Sequence, residues 1–343
     1  MKFTHNDLDQ AVRAGVIAQE TRDALVTFFE DGREGAPAFT MANVLYYLGG
    51  LIVIGAMTIF VTDAWGRLGG LGHLLIGAGY GLAFLVLGNW LWKGRGQRVP
   101  GGILVTAAVC MTPLVVFGAQ ELSGWWVWDA PGMYEDFYRW IKGGWFFMEI
   151  GTVGVGLLAL RRFRFPFITL PVAFSLWFLS MDLTAVLYGP DFSWDQRKVV
   201  SLCFGLVMLV VAYVVDRRTR QDFAFWLYLF GMIAFWGGLT SLDSDSELGK
   251  FIYCCVNLLL IAISVILQRR VFIVFGGIGV CIYLGHLAAD VFDDTLSFSF
   301  ALSGLGLLVI LAGLQYHKHR EAIEEKALCL LPAAIRRTLP RYR

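Results

Sequence analysis

Ten stretches of 16 to 23 mostly apolar residues follow one another between positions 39 and 316, and this succession leaves little besides a bundle of membrane-spanning helices. They occupy 39–61, 72–92, 103–120, 145–160, 165–187, 199–215, 223–242, 251–267, 271–291 and 296–316. A bilayer core about 30 Å thick takes about 20 residues of α-helix, and inside it a helix satisfies its own backbone polar groups. Composition agrees: 57% of residues are hydrophobic and only 16% charged, where a soluble domain carries about a quarter charged. The fold class expected is therefore all-α, a polytopic transmembrane helix bundle with ten spans.

Three regions follow from this pattern. Residues 1–38 are polar and read as a small helical hairpin: Thr4 and Asp7 have capping-box spacing, Gly15 breaks the first helix, and Leu25, Phe28 and Phe29 form the apolar stripe of a second helix over 18–31. The segment lacks a basic stretch followed by an apolar run, so no cleavable signal peptide is expected. Residues 39–316 form the membrane domain. Residues 317–343 form a basic amphipathic tail, with Leu328, Leu331 and Ile335 set against Arg336, Arg337, Arg341 and Arg343, suited to an anionic leaflet.

Charge assigns a side to each connection. The second, fourth, sixth and eighth connections hold eleven basic residues, among them Lys93, Arg95, Arg98, Arg161, Arg162, Arg164, Arg217, Arg218, Arg269 and Arg270, accompanied only by Asp216 and Asp222. The odd connections hold six basic residues and most of the acids. The positive-inside rule then predicts both termini in the cytoplasm, with the hairpin a cytoplasmic module that docks on the membrane domain or on a protein partner. The net charge of +1 gives no bulk attraction for nucleic acid. An internal echo is also present: Arg161-Arg162, Phe167 and Asp182 recur at a constant offset as Arg269-Arg270, Phe275 and Asp290.

The polar hairpin running into the N-V-L-Y-Y-L-G-G-L-I-V-I-G-A first span, followed by the T-D-A-W turn, resembles the bacterial membrane proteins grouped as domain of unknown function 2157. The resemblance covers about the first hundred residues and rests on glycine and aromatic packing positions. It implies a multi-pass protein of the bacterial inner (plasma) membrane with no assigned activity, and it carries over no functional residue.

Ionisable groups inside spans cost about 2.5–3.5 kcal/mol each on insertion scales, so each needs a reason. Glu149, Asp182, His286 and Asp290 all fall in the outer part of their spans, and His286 and Asp290, four apart, share one helical face. One reading gathers the four into a binding pocket open to the outer side. The other lets each reach interfacial water or a hydroxyl of a neighbouring span. The cytoplasmic halves of the spans hold no acid, which argues against a proton pump. The third connection, 121–144, is rich in aromatics, including Trp125, Trp126, Trp128, Tyr138 and Trp140. It reads as an interfacial helix around 133–141 or as a lid over the pocket.

A metal site is not expected: one histidine and scattered carboxylates make a poor ligand set, with His73 at most a neighbour. No cofactor is expected either. The cysteines Cys110, Cys203, Cys254, Cys255 and Cys281 lie in apolar runs and read as packing residues. The sequence contains no P-loop, nucleophile elbow or H-E-x-x-H motif, so it offers nothing for an ATP-driven pump or the common hydrolases. Pro113, Pro166 and Pro171 are expected to weaken helical hydrogen bonding locally. Two functions remain in view: a carrier or binding protein with an outward-facing site, and a non-catalytic scaffold or sensory subunit holding cytoplasmic partners. A lipid-processing enzyme has only its acids at headgroup depth in its favour.

Overall fold

The computed structural model describes residues 5–33, 41–126, 145–189, 192–219, 221–242 and 246–287, together with scattered helical residues between 299 and 318. Among the described residues every regular element is a helix. The chain divides into two compact units, Met1–Gly49 and Gly50–Arg343.

The first unit contains α1 (His5–Arg13) and α2 (Gln19–Arg33). Gly15, with φ +70°, supplies the left-handed residue in the turn between them. Arg22 of α2 ties the pair by donating from Nε to Asp9 of α1 at 3.0 Å. The expected cap at Thr4 lies outside the described residues.

The first two apolar runs lie in α3 (Met41–Asn89), two helical arms that meet at a kink within the connection expected over 62–71. The polar residues there are compatible with helix, and the only break is Gly69, whose φ of 57° and ψ of 171° suit a residue without Cβ. From Gly69 the second arm runs on through a π-helical turn, Trp90–Gly94. The third run is broken in the middle, as Pro113 predicts: α4 (Arg98–Cys110) stops at Met111, and α5 (Thr112–Ser123) carries the proline in its first turn. Next come α6 (Phe146–Arg162), a 3₁₀ turn at Pro166–Ile168, α7 (Thr169–Tyr188), α8 (Trp194–Arg218), α9 (Phe225–Ser241), α10 (Glu247–Leu267) and α11 (Arg270–His286).

Five of these stretches are long and apolar enough to cross a membrane: Gly69–Gly94, Arg98–Ser123, Pro166–Tyr188, Trp194–Arg218 and Glu247–Leu267. Val44–Val53, Phe225–Ser241 and Arg270–His286 are shorter apolar helices. Their outer faces are what a lipid solvent allows. On α8, Gly205, Met208, Leu209, Ala212 and Asp216 are buried at helical spacing, while Leu206, Val207, Val210 and Val211 stand exposed. In water such a surface would aggregate. Cys203, Cys255 and Cys281 share this exposed apolar surface, which corrects their reading as core packing residues, while Cys254 is buried and Cys110 partly so.

Glycine contacts fix the directions of neighbouring helices. Along the second arm of α3, Gly70 meets Leu122, Gly77 meets Val115, Gly81 meets Met111 and Gly88 meets Gly101. Numbers rise on one helix as they fall on the other, so the arm and α4–α5 are antiparallel. Val109 of α4 and Val116 of α5 against Gly156 and Gly151 make α4–α5 and α6 antiparallel in the same way, and Gly205, Gly231 and Gly238 do so for α8 and α9. By contrast, Phe167 packs on Trp226 and Phe174 on Phe230, so α7 and α9 run parallel. The core where they meet comprises Ala173, Met208, Ala212, Tyr228, Met232, Leu260 and Phe272, drawn from α7 to α11.

These directions give the second unit two chemically distinct ends. At one end lie the turns 90–98, 162–168, 216–225 and 267–270, which carry the basic residues counted above. Trp92 packs on Phe163 and Phe165, Phe167 on Trp226, and Arg269 on Asp216 and Asp222, which joins these turns into one end. The other end holds the start of the second arm of α3, the end of α5, the start of α6 and the end of α7.

Candidate functional site

Glu149 stands in the first turn of α6, where the positive end of the helix dipole favours an anion, and it is only 6% exposed. Asp182 lies six residues before the end of α7 and is completely buried. Gly156 against Val172 brings the end of α6 to the start of α7, so the antiparallel pair carries the two acids to one level. Their carboxyls lie within electrostatic reach of each other. Two of the four residues picked out from the sequence therefore do come together, on adjoining helices.

Neither carboxyl oxygen of Glu149 has a hydrogen-bond partner among the described residues. Gln120, near the end of α5, is equally buried, and both atoms of its side-chain amide are likewise without a partner. The antiparallel α5–α6 pairing puts Gln120 at the same end as Glu149. Buried polar groups are nearly always satisfied, so two without a partner at one end of paired helices single out that end as the candidate site. The carboxylate in particular is stable there only when a proton or a cation neutralises it.

His73 belongs to the same end. It is 1% exposed, its Nδ1 lies 3.0 Å from Glu121 Oε2, and its ring meets Phe117 edge-on at 5.2 Å. The aromatic third connection begins here. Trp126 packs on Phe117 at 5.7 Å and Trp125 on Phe147 at 4.8 Å, so the first two of the expected lid residues lie against α5 and α6 beside the polar end. Trp128, Tyr138, Trp140 and the expected interfacial helix over 133–141 lie outside the described residues.

His286 closes α11, and its Nε2 is 3.2 Å from Glu247 Oε2 at the start of α10, where Lys250 also donates to Glu247 at 3.0 Å. His286 thus has a contact on the neighbouring helix that its own helical spacing does not reveal. Asp290, the partner expected from the sequence, lies outside the described residues. Among the described residues no group of three or more His, Cys, Asp or Glu side chains could hold a metal ion.

At the opposite end, Arg269 fills the space between the end of α8 and the start of α9. Its Nε donates to Asp216 at 3.1 Å, its Nη2 to the other Asp216 oxygen, and its Nη1 to both oxygens of Asp222 at 2.9 Å. The guanidinium carbon lies 5.5 Å from the ring of Tyr228. Burial alone would push the guanidinium down, but the bonds and charges of the two aspartates outweigh it and hold it above its ordinary range. A raised value contributes stability that is present at all lower pH and lost only above it, so this clamp holds throughout the neutral and alkaline range.

Sequence reasoning used Asp216, Asp222 and Arg269 to assign sides and missed their mutual contact. It also passed over Gln120, taken as a span boundary, and Asn257 in the middle of α10. Asn257 is fully buried, accepts from Trp236 Nε1 at 3.0 Å, donates to the Tyr253 carbonyl at 2.8 Å and packs against Gly279. The rule that singled out the carboxylates, that a polar group in an apolar run needs a reason, would have found both amides. No protein-family model, no curated protein and no solved structure matches this chain.

Proposed function

We propose that this chain is a ten-span membrane protein with both ends in the cytoplasm, which carries or binds a small cationic or proton-bearing solute at the Glu149–Asp182 pair, reached from the outer side. The observation that carries the reading is Glu149: a carboxyl buried in an apolar helix group, with both oxygens lacking a hydrogen-bond partner among the described residues and a second acid beside it. Such a pair costs stability unless it does something, and neutralising it with a cation or a proton is the chemistry available to it. Gln120 supplies an amide that can both donate and accept, and Trp125 and Trp126 supply the edge of an aromatic cover. Ten spans, the cytoplasmic termini and the bacterial inner membrane are supported by the spacing of the apolar runs and by the gathering of the basic turns at one end. Kinship with domain of unknown function 2157 is part of the same proposal and rests on the first hundred residues.

The test is binding and flux in vesicles containing the purified protein. A panel of monovalent cations and small ammonium compounds is offered, with uptake, or proton release on binding, as the readout. Glu149→Gln and Asp182→Asn should each abolish the response seen with the wild-type protein. Equal responses from all three proteins would overturn the site.

A scaffold is the alternative with an observation of its own, since the N-terminal hairpin belongs to a separate compact unit. That reading expects a deletion of 1–38 to release co-purifying proteins while the membrane domain stays folded. Gentle extraction without any partner would remove it.

A further inference from the structure

The basic end is not uniform. In the α8–α11 part, Arg269 is held by two aspartates, whereas in the part built from α3 to α7 the sequence has no acid between Asp63 and Glu121 or between Glu149 and Asp182. Six exposed cations stand there on two turns: Lys93, Arg95 and Arg98 on the first, and Arg161, Arg162 and Arg164 on the second. The two turns are locked together. Trp92 packs edge-on against both Phe163 and Phe165, and Gly102 is so close to the Phe165 ring that no side chain would fit. Two of the cations are further ordered by rings, with the Arg95 guanidinium 4.4 Å from the centre of Trp90 and that of Arg162 5.4 Å from Phe163. Trp90 is itself 48% exposed, an amphipathic ring of the kind that settles at headgroup depth.

Topology alone needs basic residues near the inner ends of spans. It does not need them ordered on an aromatic knot. We infer that the turns 93–98 and 161–164 form a seat for an anionic phospholipid carrying two phosphates, one phosphate to each group of three cations, with Trp90 and the Trp92–Phe163–Phe165 knot beneath the glycerol region. The occupant is a lipid rather than a soluble phosphate because the apolar flank continues directly from the cations: Leu87 and Trp90 on the second arm and Leu157 and Leu158 on α6 are exposed just inside them. Acyl chains lie there in any membrane that holds the protein. The inference rests on the membrane reading and is independent of the Glu149–Asp182 site.

The experiment uses the full-length protein in a neutral detergent, titrated with cardiolipin, the bound lipid being counted by native mass spectrometry. Each cation near a headgroup is worth about fivefold in affinity, so Arg161→Gln, Arg162→Gln and Arg164→Gln combined should weaken binding about a hundredfold. The combination Arg217→Gln, Arg218→Gln and Arg270→Gln removes the same charge from the other turns and should cost less than about fivefold. Arg164→Glu alone, at an exposed position where folding is not at stake, should weaken binding tenfold or more. Equal loss in both triple variants, or wild-type affinity in Arg164→Glu, would overturn the seat. So would phosphatidylglycerol of equal total charge binding as tightly as cardiolipin, or inorganic pyrophosphate binding the lipid-free protein with the same dependence on Arg164.

Discussion

Two buried acids of this protein live in opposite circumstances. Asp216, 5% exposed, has both oxygens bonded to Arg269, while Glu149, 6% exposed, has neither oxygen bonded among the described residues. Residue class and burial are the same, yet one acid is provided with a counter-ion and the other has none bonded to it among the described residues. A fold that can build the Arg269 clamp at one end has the means to satisfy a carboxyl, so its not doing so at the other end is informative. Asp216 serves the architecture by fastening the α8–α9 turn to the α10–α11 turn. Glu149 is buried at the opposite end with no bonded partner among the described residues.

The sharpest way to break this comparison is to remove the counter-ion. Arg269→Met leaves the Asp216 carboxyl buried and uncompensated, which should cost about 3–5 kcal/mol, the largest loss expected of any single change discussed for this protein. Unfolding in mixed detergent micelles, followed by helical circular dichroism, measures it. Arg269→Met combined with Asp216→Leu should recover most of the loss, because an ion pair replaced as a whole by apolar groups is close to neutral. If the single variant unfolds like the wild type, Asp216 is no better provided for than Glu149 and the contrast disappears.

Asn257 offers an intermediate case, a buried polar group satisfied by neutral partners. Asn257→Ala strips the acceptor from Trp236 Nε1 and opens space beside Gly279, for an expected loss of about 1–3 kcal/mol in the same unfolding assay. A loss as large as that of Arg269→Met would mean that charge is not what sets the clamp apart.

Much of this was legible before any coordinates. Hydropathy made the apolar helices of the described residues legible, because in an apolar run of this length no other backbone structure satisfies its own polar groups. Glu149 and Asp182 were legible as a candidate site through the cost of burying them, and Trp125 and Trp126 through their density in one connection. What was not legible depended on helix rotation and partner choice. Arg269 and Arg161 occupy matched positions in the sequence echo, yet one is clamped by acids from a connection about fifty residues away and the other stands exposed on a turn without acids. Spacing along one helix suggests for His286 the partner Asp290, which lies outside the described residues, and the contact of His286 with Glu247 on the neighbouring helix is one that spacing does not show. The break between the first two runs falls at Gly69, inside the expected connection over 62–71, but it is a single residue rather than a loop, because a helix tolerates Asp63 and Arg67.

The smallest expected change in stability is also the one that separates the two acids most cleanly. Glu149→Gln keeps the shape of the side chain and replaces a carboxyl that has no bonded partner among the described residues with a neutral amide. Nothing structural is lost, and the cost of burying an ionisable group is relieved, so stability should change by less than about 1 kcal/mol, with a gain as the favoured sign. Asp216→Asn, the same chemical change at the other end, removes the charge that compensates Arg269 and should be destabilising. The pair of amide substitutions, measured side by side for unfolding and for cation response in vesicles, should give opposite patterns: Glu149→Gln folded and unresponsive, Asp216→Asn weakened in fold and responsive while it lasts. A Glu149→Gln protein that is both destabilised and still responsive would assign Glu149 to the architecture and leave the polar end without a ligand.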